Sequence, residues 1–66
     1  MTVIVNGAEN DTAVGRTIAD VLVDVTGSLR GSAVVVDGEV VPRGEWATYQ
    51  LRSGQHVEVI TAVQGG

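Results

Sequence analysis

The stretch TIADVLVDVTG, Thr17 to Gly27, decides how this chain is read. Ile18, Val21, Leu22 and Val25 fall at i, i+3, i+4 and i+7, which makes one apolar stripe on a helix. Thr17 is an N-capping residue type, and Asp20, at the third helical position, suits the positive end of the helix dipole. Gly27 is placed to end the helix in a left-handed turn. Several residues of the stretch are β-branched, so its intrinsic propensity is modest and it needs a core to hold it.

Outward from this helix the chain reads as short apolar runs punctuated by glycine. Upstream, Thr2-Val3-Ile4-Val5 is β-branched throughout and runs into Asn6-Gly7, a strong hairpin signal, with a return strand expected within Glu9 to Val14. Downstream, Ala33 to Val36 reads as a buried strand that Asp37-Gly38 turns into a short Val40-Val41 return, ended by Pro42. Gly44 to Thr48 is irregular, with a helical turn expected around Glu45-Trp46-Ala47. Tyr49 to Leu51 is expected as a brief edge strand and Ser53-Gly54 as a turn. His56 to Ala62 is the last strand, alternating Val57 and Val59 with Glu58 and Ile60. One helix must then cover one face of a mixed four- or five-stranded sheet, a two-layer α+β domain of β-grasp architecture spanning residues 1–66.

Size and composition exclude several function classes. At 66 residues the chain builds one small core, burying about 60% of its unfolded surface. It has no cysteine, hence no disulfide, thiolate metal site or thiol nucleophile. Its four cations, Arg16, Arg30, Arg43 and Arg52, are scattered and outnumbered by eight carboxylates, which argues against nucleic acid as a partner. No apolar run approaches a membrane span, and the first residues lack the pattern of a signal peptide, so a cytoplasmic protein without membrane attachment is expected.

Catalytic patterns are equally absent. There is no phosphate-binding glycine loop, and Ser28, Ser32 or Ser53 could be joined to His56 as a triad only arbitrarily. His56 reads as an ordinary surface histidine. Asp20 and Asp24, at i and i+4, read as a solvated acidic face with a slight helix cost rather than a metal site. Trp46, the only tryptophan, reads as a plug for one end of the core, its indole N–H on a backbone carbonyl; a partner-facing anchor is the alternative.

What stands out is the ending, TAVQGG. If the last strand stops near Ala62, Val63, Gln64, Gly65 and Gly66 extend at most about 14 Å beyond it. Two residues without a Cβ make a narrow tip that fits a tight channel. The terminal carboxylate is ionised at neutral pH and is a poor electrophile until another enzyme activates it with ATP. The tail then acts as a tethered substrate; a frayed end or an expression remnant is the plain alternative.

The residues resemble a known family along essentially the whole chain. The opening MTVIVNG, the helix TIADVLVDV, the segment VVVDGEVVPRGEW and the ending SGQHVEVITAVQGG are similar to the ubiquitin-like sulfur carrier proteins, most closely the ThiS family of thiamin biosynthesis. Asp37 stands where that family commonly has Asn, and Gln55 where it commonly has Asp.

The resemblance implies that an E1-like adenylating enzyme (of the ThiF or MoeB kind) uses ATP to adenylate the Gly66 carboxylate. A persulfide donor, such as a cysteine desulfurase, then supplies sulfur to make a Gly66 thiocarboxylate, and thiazole synthase receives it. It implies no bound cofactor, no metal and no catalysis by the chain itself. With Val57 and Val59 facing the core, Glu58, Ile60 and Ala62 would point outward as a docking surface for both partners, and a free monomer is expected. The rivals are a molybdopterin synthase small subunit or other sulfur carrier, a protein modifier joined through Gly66, and a β-grasp binding module with an incidental tail.

Overall fold

The computed structural model describes residues 1–27 and 33–60. Two hairpins, one helix and a final strand build the sheet: β1 (Thr2–Val5), β2 (Ala8–Asp11), α1 (Ile18–Thr26), β3 (Ala33–Val36), β4 (Glu39–Val41) and β5 (His56–Ile60), with a short 3-10 turn at Arg43–Glu45 after β4. The five strands lie in the order β2-β1-β5-β3-β4. β5 runs parallel to β1, while β1–β2, β3–β4 and β3–β5 are antiparallel. This is a mixed β-grasp sheet with five strands, within the four or five expected from the sequence.

Both hairpins turn through paired left-handed residues. Asn6 (φ 50°) precedes Gly7 (φ 83°), and Asp37 (φ 50°) precedes Gly38 (φ 86°). Two positive φ values in a row match the right-handed twist of the flanking strands, a conformation open to Asn, Asp and Gly. β2 therefore starts at once, at Ala8, one residue before the expected Glu9–Val14 window, and ends inside that window at Asp11. β1 begins at Thr2, which pairs with Asp11, and the Thr12 N–H bonds the Met1 carbonyl at 2.7 Å just past that last pair.

Helix α1 starts and stops as its sequence requires. Thr17 and Asp20 form a capping box: the Thr17 hydroxyl accepts from the Asp20 N–H at 3.2 Å, and the Asp20 carboxylate accepts from the Thr17 N–H at 3.1 Å. The other orphan donors of the first turn go to the crossing segment, Ile18 N to the Tyr49 carbonyl and Ala19 N to the Trp46 carbonyl, each at 3.0 Å. Gly27 ends the helix at φ 78°. Arg16 lies across both acids of the exposed face, 3.6 Å from Asp20 and 2.6 Å from Asp24, and offsets their repulsion.

The core is aliphatic: Val3, Val5, Ile18, Val21, Leu22, Val34, Val36, Val41, Leu51 and Val57, closed by Trp46. Ile18, Val21 and Leu22 bury the helix stripe, but Val25 stays 42% exposed. The helix is bonded to the rest of the domain at its N-terminal end, and the stripe has left the core by its last turn. Trp46 plugs the core as expected, its indole N–H donating to the Val41 carbonyl at 2.9 Å, with the Arg43 guanidinium 5.5 Å over its ring.

The crossing differs from the sequence expectation in two places. The 3-10 turn lies at Arg43–Glu45, two residues before the expected position, because Pro42 fixes φ at −58° and its carbonyl accepts from the Glu45 N–H at 2.9 Å. Tyr49 to Leu51 is not a sheet edge. Gln50 bridges Thr17, and the Leu51 N–H bonds the Arg16 carbonyl at 2.9 Å, so this segment ties down the helix entrance. β5 is described to Ile60; Thr61 and Ala62, expected as its last residues, lie outside the described residues.

Thr17→Ala, which removes half of the capping box, is expected to cost about 1 kcal/mol. Thermal unfolding followed by circular dichroism should show a fall in Tm of roughly 4–8 °C, typical for a domain of this size.

Candidate functional site

The site expected from the sequence has two parts, a tail and a face, and both depend on β5. Val63, Gln64, Gly65 and Gly66 lie outside the described residues, as does Ala62. Of the face, Glu58 and Ile60 are described.

Strand alternation and register determine what that face presents. Val57 is buried and Val59 packs partly against the core, which turns His56, Glu58 and Ile60 to the side without a helix. The pairs Ile4↔His56, Val35↔Glu58, Ala33↔Ile60, Val35↔Val40 and Ile4↔Glu9 continue the row across the sheet. The helix-free face thus carries Ile4, Val35, Val40 and Ile60 among Glu9 and Glu58. Ile60 is 52% exposed and Val40 70%. Glu58 and Ile60 point outward as expected.

β5 is held from both sides by side chains of the two hairpin turns. On the β3 side, the Asp37 carboxylate accepts from the His56 N–H at 2.9 Å and from the Gln55 side-chain amide at 3.1 Å, and the Asp37 N–H donates to the His56 carbonyl at 2.8 Å. On the β1 side, the Asn6 N–H donates to the Val57 carbonyl at 2.9 Å, and the Asn6 side-chain carbonyl accepts from the Val59 N–H at 2.8 Å. Gln55 also folds its side-chain oxygen back onto the Arg52 N–H at 2.8 Å, closing the turn that launches β5.

In the sequence Asn6 and Asp37 read only as turn formers. Their reach to β5 was invisible because it spans 53 residues from Asn6 to Val59 and 19 from Asp37 to His56. A left-handed Asn or Asp opening a tight turn beside a parallel or closing strand was the available signal. Asp37 and Gln55 also bond one another here.

The hydrogen bond from the His56 N–H, followed by that from Gln55, holds the Asp37 carboxyl below the usual aspartate range. The capping contacts of Thr17, backbone first, lower Asp20 likewise, with Arg16 assisting. Among the described residues no group of three or more His, Asp or Glu side chains could hold a metal ion, and no helix is long and apolar enough to cross a membrane. His56 lies exposed at the start of β5, and no hydroxyl nucleophile is joined to it by a hydrogen bond among those described.

The ThiS family model matches residues 3–66. The sulfur carrier protein ThiS of Escherichia coli (strain K12) is 24% identical over 66 residues, covering 100% of both chains. A crystal structure of thiamine biosynthesis protein ThiS from Geobacter metallireducens superposes with a TM-score of 0.78 at 24% identity, covering 100% of each chain. A solution structure of a thiamine biosynthesis protein from the same organism gives a TM-score of 0.78 at 25% identity, over 100% of this chain and 88% of that one. The structural likeness shows the fold.

A depressed carboxyl contributes stability that is complete above its unfolded pKa and is lost as pH falls through its folded pKa. Stability should therefore decline on acidification below about pH 4, the unfolded aspartate range. Asp37→Asn should flatten part of that decline while leaving the fold intact, as read from urea unfolding midpoints across the acid range.

Proposed function

This chain belongs to the ThiS family, and from that premise we propose that it is a sulfur carrier of thiamin biosynthesis whose reactive group is the Gly66 carboxylate. The observation that carries the reading is that the family match continues through Gly65 and Gly66 to the last residue.

The chemistry follows from the weakness of a carboxylate as an electrophile. An E1-like enzyme would join the Gly66 carboxylate to the α-phosphorus of ATP and release pyrophosphate. The terminal sulfur of a persulfide, on a donor such as a cysteine desulfurase, would attack the acyl carbon and expel AMP. A thiol would then cleave the S–S bond, leaving a thiocarboxylate on Gly66 and a disulfide behind. Thiazole synthase would take the sulfur from there. No cysteine is present to hold sulfur on a side chain, so the terminus is the place for it. The chain supplies no catalytic group and binds no cofactor in this scheme; it presents Val63 to Gly66 to its partners' active sites, as a cytoplasmic monomer.

Recognition is assigned to the helix-free face, with Ile60 and Glu58 on β5 and Ala62 beyond it. A half-exposed isoleucine among carboxylates offers one apolar anchor with a charged rim, the usual anatomy of a docking contact.

Two measurements test this. Intact mass after incubation with ATP, a sulfur source and the adenylating enzyme should show one oxygen exchanged for sulfur at Gly66, and nothing in a chain lacking Gly66; an active enzyme that leaves the chain unchanged would sink the reading. Ile60→Asp should reduce both adenylation and thiazole formation by roughly tenfold or more, the scale of a buried interface anchor. Unchanged rates in both assays would remove the docking assignment and leave the carrier chemistry standing.

A further inference from the structure

The Asn6–Val59 contact has a geometry that ordinary turn formation does not require. In a parallel pair, hydrogen bonds are evenly spaced: where a residue's N–H donates to one carbonyl of the neighbour, its own carbonyl accepts from the N–H two residues further on. Asn6 begins that pattern, its N–H on the Val57 carbonyl at 2.9 Å. Its backbone is left-handed, at φ 50°, and carries the chain away into the β1–β2 turn. The side-chain carbonyl then takes the Val59 N–H at 2.8 Å. Asn6 thus replaces its own main-chain acceptor and adds one rung to the β1–β5 ladder after β1 has ended.

That rung is the last described on the β1 side of β5. Paired strand residues Ile4↔His56 and Val5↔Val57 stop two residues short of Val59. Beyond Val59 come Ile60, assigned above to docking, and the tail. We infer that Asn6 is a positioning residue for delivery of the C-terminus: by holding Val59 it sets the register and direction in which the end of β5 hands Ile60 and the tail to the activating enzyme. The inference rests on the sulfur-carrier reading and adds a residue to it at the far end of the chain.

Asn6 combines two properties that few residues share. It tolerates the left-handed turn, and it carries an acceptor at the right reach. Asp shares both; Gly keeps the turn and lacks the acceptor. Asn6→Gly and Asn6→Asp therefore separate the bond from the turn.

The experiment compares wild type, Asn6→Gly and Asn6→Asp in initial rates of sulfur loading at Gly66, with amide exchange at Val59 read by NMR. A chain of this length is also within reach of chemical synthesis, and an ester in place of the Val59 amide deletes the donor while leaving Asn6 untouched. Asn6→Gly and the ester should each lower kcat/KM for loading about 2- to 10-fold, the range of one hydrogen bond's net contribution. In Asn6→Gly the Val59 N–H should exchange faster by a similar factor while the core amides hold. Asn6→Asp should restore both readouts. A merely structural role would lower the melting temperature yet leave rates unchanged well below it, where the unfolded fraction is negligible.

Wild-type loading rates in Asn6→Gly overturn the inference, and if that variant fails to fold, wild-type rates in the ester do the same. Slow Val59 exchange in Asn6→Gly overturns it as well. If the wild-type chain is never loaded, the carrier reading fails and takes the positioning role with it. If the wild type loads and the variants match it, the positioning role alone falls.

Discussion

The structure depends on the insertion of β5 between β1 and β3. The two hairpins are local and close on themselves through two-residue turns, but neither covers a helix alone. β5 joins them by pairing parallel with β1 and antiparallel with β3, and it brings Val57 and Val59 onto the face that meets the helix. Remove it and Val3 and Val5 are separated from Val34 and Val36, and the apolar face that α1 needs is split in two. The two turns secure it from opposite sides, Asp37 at its first residue and Asn6 near its last.

This arrangement gives the two faces of the sheet different characters. One side of the sheet is committed to stability, with valines, the helix stripe and the Trp46 plug. The crossing segment serves that side as well, satisfying the helix N-terminus with main-chain carbonyls where side-chain caps run out. The other side is free of the helix and alternates aliphatic with acidic residues. Its exposed apolar surface is tolerable on a small domain. β5 belongs to both sides, so its register sets the core and the face together.

Much of this was legible in the sequence because it is local. Asn-Gly and Asp-Gly announce their turns, Thr17 and Gly27 bracket the helix, and alternation along His56 to Ile60 tells which residues face the core. The indole of Trp46 found a carbonyl because a buried N–H must. The errors come from pairings between distant segments. Tyr49 to Leu51 has the look of a strand but bonds to the helix entrance, and Val25 fits the stripe but lies past the point where the core supports it. The bonds from Asn6 and Asp37 to β5 were beyond any periodicity argument.

The pairing of β1 with β5 has a kinetic consequence. It joins the two ends of the described chain, the most distant contact the topology contains, and such contacts form only after a large loop-closure entropy has been met. Each hairpin and the helix can begin to form on its own, but the strand that leads to Gly66 becomes ordered only when the whole sheet assembles. A substitution that weakens the core therefore loosens β5 together with both hairpins, because that strand has no local partner of its own.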